Sequence, residues 1–183
     1  MQIKPEDIMK QALELGVTNA AVVDVNNIEF SQEFRELCEK NTCRQYNMNW
    51  MCPPAVGPLE VLEKRVRQYK QGVLLQTVQK LRSCFDYPGM VEGEERHTKI
   101  VRKLVDKLKE EYKGIDFLPL NVGPCTYCPQ CTYPEGKPCR FPEKAMASVE
   151  AYGINVMSLT RKCDIPYYNG ENTVSYVALI LFN

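Results

Sequence analysis

The alternation of apolar and polar positions divides the chain into short helices and strands with two irregular gaps. Pro5 suits a first helical position and Gly16 the left-handed residue that ends a helix, so a helix is expected over 5–15. The run Asn19-Ala20-Ala21-Val22-Val23-Asp24-Val25 reads as a buried strand, being short, apolar and β-branched. Ser31 can cap a second helix through about Lys40, with Phe34, Leu37 and Cys38 expected on its inner face. Pro58 restarts helix, with Leu59, Leu62, Val66 and Tyr69 at helical spacing, and Gly72 is expected to end it. A strand is expected over 72–78 and a loop over 82–93, where Pro88, Gly89 and Gly93 cluster. Ile100, Val101, Leu104, Val105, Leu108 and Tyr112 form the apolar stripe of a long helix expected over 94–113. Further strands are expected over 115–120, 154–159 and 173–182, with a helix from Pro142 to near Gly153.

This order predicts a single α/β domain over 1–183, with a mixed sheet of about five strands flanked by helices. The two gaps, about 41–57 and 121–142, are Cys-rich loops expected at one edge of the sheet. Residues 121–142 hold four Cys and five Pro, with Val122 the only branched aliphatic residue. Such a stretch cannot build a hydrophobic core of its own and needs another source of order.

Composition narrows the chemistry. Lys+Arg and Asp+Glu both number 23, so there is no cationic excess to neutralise nucleic-acid phosphates. The basic positions Lys64, Arg65, Arg67 and Lys70 share their stretch with Glu60 and Glu63, which reads as a solvated helix face. No apolar run reaches the roughly 20 residues that span a bilayer, and the N-terminal residues lack a signal-peptide core. A cytoplasmic protein is expected. In that reducing compartment nine cysteines point to metal binding or catalysis rather than disulfides, and their odd number agrees.

The spacing Cys125-x2-Cys128-x2-Cys131-x7-Cys139 carries the strongest signal. Two-residue gaps let one tight loop turn successive sulfurs inward, and a more distant Cys closes the fourth corner. Structural zinc sites use pairs of cysteines on separate knuckles. Three cysteines at successive two-residue gaps instead match ferredoxin-type [4Fe–4S] ligation, although the last gap here is longer. Pro124 and Pro129 stiffen the loop and reduce the entropy lost on ordering. A second group, Cys38-x4-Cys43-x8-Cys52-Pro53-Pro54, has less diagnostic spacing. Cys38 there could simply face the core from its helix. Cys43 and Cys52 flank Tyr46-Asn47-Met48-Asn49-Trp50, a polar–aromatic stretch suited to a binding-site wall. Cys84 and Cys163 are isolated and read as core or incidental thiols; His97, the one histidine, reads as exposed. No glycine-rich phosphate loop, paired-histidine zinc helix or serine-nucleophile elbow occurs.

Two motifs together resemble a known family. One is Cys43-Arg44-Gln45-Tyr46-Asn47-Met48-Asn49-Trp50-Met51-Cys52-Pro53-Pro54. The other is Gly123-Pro124-Cys125-Thr126-Tyr127-Cys128-Pro129-Gln130-Cys131, continued by Pro138-Cys139-Arg140-Phe141-Pro142 and by the stretch from Ser148 to Val156. The chain is similar to the domain-of-unknown-function 2284 family of predicted metal-binding proteins of anaerobic bacteria and archaea. Val149 stands where the family pattern has Met, a packing change that touches no ligand. The resemblance implies metal binding through Cys38, Cys43, Cys52, Cys125, Cys128, Cys131 and Cys139, and no established reaction.

Seven ligands divide either as four plus three, which gives one closed four-iron centre and one with a position not filled by cysteine, or as one metal site plus a few core cysteines, and spacing alone does not pair distant cysteines, so that Cys139 is open to serving the other site. Three functions are expectations on this basis. The first is an iron–sulfur protein, with one or two [4Fe–4S] clusters, that passes electrons to a protein partner. The second is an enzyme whose open iron acts as a Lewis acid on a small molecule. The third is a protein whose zinc only orders the loops.

Overall fold

The computed structural model describes residues 3–183. In chain order the elements are α1 (Pro5–Glu14), β1 (Asn19–Asp24), α2 (Gln32–Glu39), α3 (Leu59–Val66), β2 (Gln71–Lys80), α4 (Tyr87–Glu111), β3 (Phe117–Leu120), α5 (Val156–Lys162) and β4 (Thr173–Phe182). The strands form one antiparallel sheet in the order β1-β2-β4-β3. The long strands β2 and β4 lie at its centre and pair from Gln71 with Phe182 to Lys80 with Thr173.

Both faces of the sheet are covered, which is why the central strands are almost continuously apolar. Val73, Leu75, Ala178, Ile180 and Phe182 face one way, against Ile8 and Ala12 of α1 and Val101, Leu104, Val105 and Leu108 of α4. Their alternates Leu74, Val177, Leu179 and Leu181 face the other way, against Leu62 and Val66 of α3, Leu159 of α5, and the segment Val149–Ile154. No helix among the described residues is long and apolar enough to cross a membrane.

Several expectations are corrected. The sheet has four strands, not about five, and it is wholly antiparallel rather than mixed. Helix–strand alternation does not fix strand direction, and here no pair of neighbours runs parallel. The expected strand over 154–159 is α5: the Asn155 side chain accepts from the Ser158 N–H at 3.0 Å and caps a helix, leaving Ile154 to bridge Phe30. The expected loop over 82–93 is mostly helix, because Asp86 caps Gly89 N–H and Pro88 sits in the first turn, where its missing donor costs nothing. Gly93 is needed inside that helix, since an added Cβ would lie 2.7 Å from the Tyr176 ring. The helix expected from Pro142 is a single turn followed by a short 3-10 turn at Glu150–Tyr152. On α2 the buried side chain is Arg35, while Leu37 is exposed.

His97 is fully buried on α4, not exposed, with Nδ1 2.9 Å from Thr77 Oγ1. Burial, helped by the Arg96 charge, pushes its pKa down from 6.5 to about 4. Between those values the unfolded chain binds the proton that the folded chain refuses, so stability falls as pH drops from 6.5 to 4. The expected loss is at most about 3 kcal/mol, and the stability it removes is fully present above the unfolded pKa. Urea unfolding across this range should show a shallower pH slope for His97→Gln than for the parent. Equal slopes would contradict a buried neutral His97.

Candidate functional site

The cysteines of the second motif lie on a loop that leaves the end of β3, the strand at one edge of the sheet. The loop is pinched at its base. Asn121 N–H donates to Ala147 O at 2.8 Å, Val149 N–H donates to Asn121 O at 2.9 Å, and the buried Asn121 amide donates to Thr98 Oγ1 of α4 at 3.0 Å. Gly123 turns the chain at φ +62°, with Glu94 Oε1 only 2.5 Å from where a Cβ would stand. Further along, Thr132 Oγ1 donates to Pro138 O at 2.8 Å and Arg140 Nη1 donates to Gln130 O at 2.9 Å, which folds the loop back on itself.

The 41–57 loop packs against this one. Left-handed residues at Asn41, Arg44 and Asn47 coil it tightly, and the Asn41 carboxamide oxygen accepts from Tyr46 N–H at 3.1 Å. Asn47 N–H donates to Pro53 O at 2.8 Å, drawing the two ends of the polar–aromatic stretch together. Three contacts then join the loops. Asn49, buried, donates from Nδ2 to Cys125 O at 3.0 Å; Trp50 Nε1 donates to Lys137 O at 3.1 Å; and the Tyr133 hydroxyl donates to Asn47 Oδ1 at 3.0 Å. The Trp50 and Tyr133 rings meet edge to face with centroids 4.9 Å apart.

Between them the loops enclose two cavities. Cys125, Cys128, Cys131 and Cys139 line the first, together with Asn49 and Trp50. Its volume is about 20 Å³, room for about one water. Cys38, Cys43 and Cys52 line the second, a cleft of about 250 Å³ that also receives Tyr46 and Glu150. The groups are neighbours: the Cys52 thiol feels the charges of Cys43 and Cys38 and also those of Cys125 and Cys131. Burial, reinforced by those neighbours, pushes the Cys52 thiol up to about 12, and burial raises Cys38 as well, against the pull of the Arg35 guanidinium. Among the described residues, no three Cys, His, Asp or Glu side chains stand close enough to hold a single metal ion as they are. Taking up metal in either cavity therefore involves turning thiols inward and releasing their protons.

Cys84 is exposed and Cys163 half-buried beside Val22, and neither lines either cavity. The sequence reading missed two residues of the second cleft's surroundings. Arg35 is buried and donates to Ala151 O at 2.6 Å and Gly57 O at 2.8 Å, so it ties α2 to the 3-10 turn and to the end of the 41–57 loop. Glu150 opens that turn and faces the cysteines. A charged residue on an otherwise amphipathic helix, and a Glu 98 positions after Cys52, leave no spacing signal that would single them out.

Comparison with known proteins gives one family. The family described as predicted metal-binding protein, of domain-of-unknown-function 2284, matches residues 21–182. No curated protein matches the chain. A crystal structure of selenomethionine-labelled epoxyqueuosine reductase aligns at a TM-score of 0.44 and 11% identity, over 97% of this chain and 45% of that one. The chain thus spans less than half the length of that protein.

Proposed function

Because the chain belongs to the domain-of-unknown-function 2284 family of predicted metal-binding proteins, we propose that its seven grouped cysteines hold two iron–sulfur centres that serve electron transfer to a partner protein. The observation that carries this reading is the division of the cysteines, four around one cavity and three around the neighbouring one. The donor set fits: thiolate is the soft ligand that iron–sulfur clusters require. Cys125, Cys128, Cys131 and Cys139 would hold the closed centre, and Cys38, Cys43 and Cys52 the second. When bound, such clusters supply one-electron redox chemistry, and an iron not fully ligated by cysteine supplies a Lewis acid.

The chain's own residues suit that chemistry. Arg35 is a buried cation whose hydrogen bonds go to neutral carbonyls, so its charge is free to favour thiolate at Cys38. Asn49 connects the loop of the second group to the backbone of Cys125, a short bonded path between the two groups. The four cysteines of the first cavity are only half-buried, and Tyr127 and Phe141 are exposed beside them, so electrons have little protein to cross at that surface.

The 250 Å³ cleft favours a second reading, an enzyme that binds a small molecule beside Cys38, Cys43 and Cys52, with Tyr46 on the wall. The deciding measurement is metal and acid-labile sulfide analysis of protein purified without oxygen. Two centres give about eight iron and eight sulfide per chain. Stoichiometric zinc without sulfide would overturn the proposal in favour of a structural metal. Turnover of a small molecule by the loaded protein would favour the enzyme.

A further inference from the structure

The second cleft contains one acidic group among its thiols. Glu150 sits on a rigid mount: Val149, Ala151 and Tyr152 beside it are buried, Ala151 N–H donates to Ser148 Oγ at 2.9 Å, and Arg35 grips Ala151 O. Gly153 closes the turn at φ +71°, donating to Glu150 O at 2.8 Å. From this fixed backbone Glu150 lines the cleft together with Cys38, Cys43 and Cys52. Glu150 brings the cleft a carboxylate beside its three thiols, the oxygen donor that a metal ion held there would meet.

We propose that the Glu150 carboxylate is the fourth protein ligand of the second centre, giving a donor set of three thiolates and one exchangeable oxygen. This rests on the reading of Cys38, Cys43 and Cys52 as ligands of that centre. The oxygen is a hard donor beside three soft ones and binds iron more weakly than a thiolate. A soft anion of small size, such as sulfide, cyanide or a thiolate, would exchange for it one for one, and Glu150 would be released as a free carboxylate. The cleft has room for such a ligand beside Tyr46. Glu150 thereby closes the centre against adventitious ligands while leaving it accessible to the right one.

The test uses the full chain reconstituted without oxygen, as parent, Glu150→Gln and Glu150→Cys. Iron content and the paramagnetic resonance spectrum of reduced protein are read with and without cyanide. The parent should hold both centres, and cyanide should shift one signal. Glu150→Gln should change that signal before cyanide is added and should respond at roughly tenfold lower cyanide. Glu150→Cys should keep its iron and resist cyanide. Loss of the second centre in Glu150→Gln with retention in Glu150→Cys also supports ligation. A Glu150→Gln spectrum and cyanide response equal to the parent's would overturn the ligand role while leaving two centres intact. Loss of the second centre in both variants assigns Glu150 to folding of the turn and overturns it too. A parent that holds iron for one centre alone overturns the two-centre reading itself, and this proposal with it.

Discussion

Cys128→Ser will strip the first cavity of most of its iron and sulfide while the second keeps its own, taking the chain from about eight iron atoms to about four. Cys128 is the middle sulfur of three at two-residue gaps, and it lines the cavity with Cys125, Cys131 and Cys139. A serine oxygen is hard, poorly polarisable and protonated at neutral pH, so it replaces a thiolate badly on iron. No spare thiol lies ready to substitute, because Cys84 and Cys163 line neither cavity. Cys52 is a neighbour but is buried on the side of the second group. The fold should be unaffected, since Cys128 is half-buried and outside both apolar cores. Parallel iron, sulfide and circular dichroism measurements on Cys128→Ser and on Cys84→Ser check this. Equal metal content in Cys128→Ser and the parent would remove Cys128 from the ligands. Iron loss in Cys84→Ser as large as in Cys128→Ser would show that the losses come from general instability.

Much of this could be read along the chain, and what could not has identifiable causes. The central strands were legible because burial on both faces makes them continuously apolar, as at Val73-Leu74-Leu75 and Val177 to Phe182. The cap at Ser31 was legible from chemistry, and its hydroxyl does accept from Glu33 N–H. Val156-Met157-Ser158-Leu159 is too short for period to separate strand from helix, and the capping carboxamide of Asn155 decides it. Pro88 and Gly89 signal a breaker and a helix start equally; the difference lies in Asp86, held ionised by the Arg82 guanidinium and so a good acceptor at the cap. His97 reads as polar in any periodicity, yet it lies inside the core, where Thr77 on a neighbouring strand partners its Nδ1. The grouping of the cysteines was legible as spacing. Their proximity in space was not, because it depends on Asn49, Trp50 and Tyr133, whose contacts cross some 76 to 87 positions of sequence.

Removing metal should leave the two cores folded and the two loops open to proteolysis. Outside the loops, α4 buries Val101, Leu104, Val105 and Leu108 against β2 and β4, and burial of that kind needs no ligand. Inside them the order rests on few bonds. The loop over 121–142 has its base at Asn121, the internal contacts of Thr132 and Arg140, and the three contacts to the other loop. Each such hydrogen bond contributes about 1 kcal/mol net, and those of Trp50, Tyr133 and Arg140 are exposed to competing water. In the proposed arrangement metal ligation would tie four points of one loop to each other and two of the other loop to Cys38 of α2, and even ~3 kcal/mol of it at the local opening step would slow cleavage about a hundredfold. Limited trypsin digestion of the anaerobic loaded protein and of the chelated protein separates the cases, with sites available at Lys40, Arg44 and Arg140. The chelated chain should be cut first at these positions, leaving the stretch 45–140, with β2, α4 and β3, as a protected fragment. Loaded protein should resist at the same positions. Early cleavage at Arg102 or Lys103, within α4, would mean that metal holds the whole fold together, and the cores described by the apolar clusters would not then be sufficient on their own.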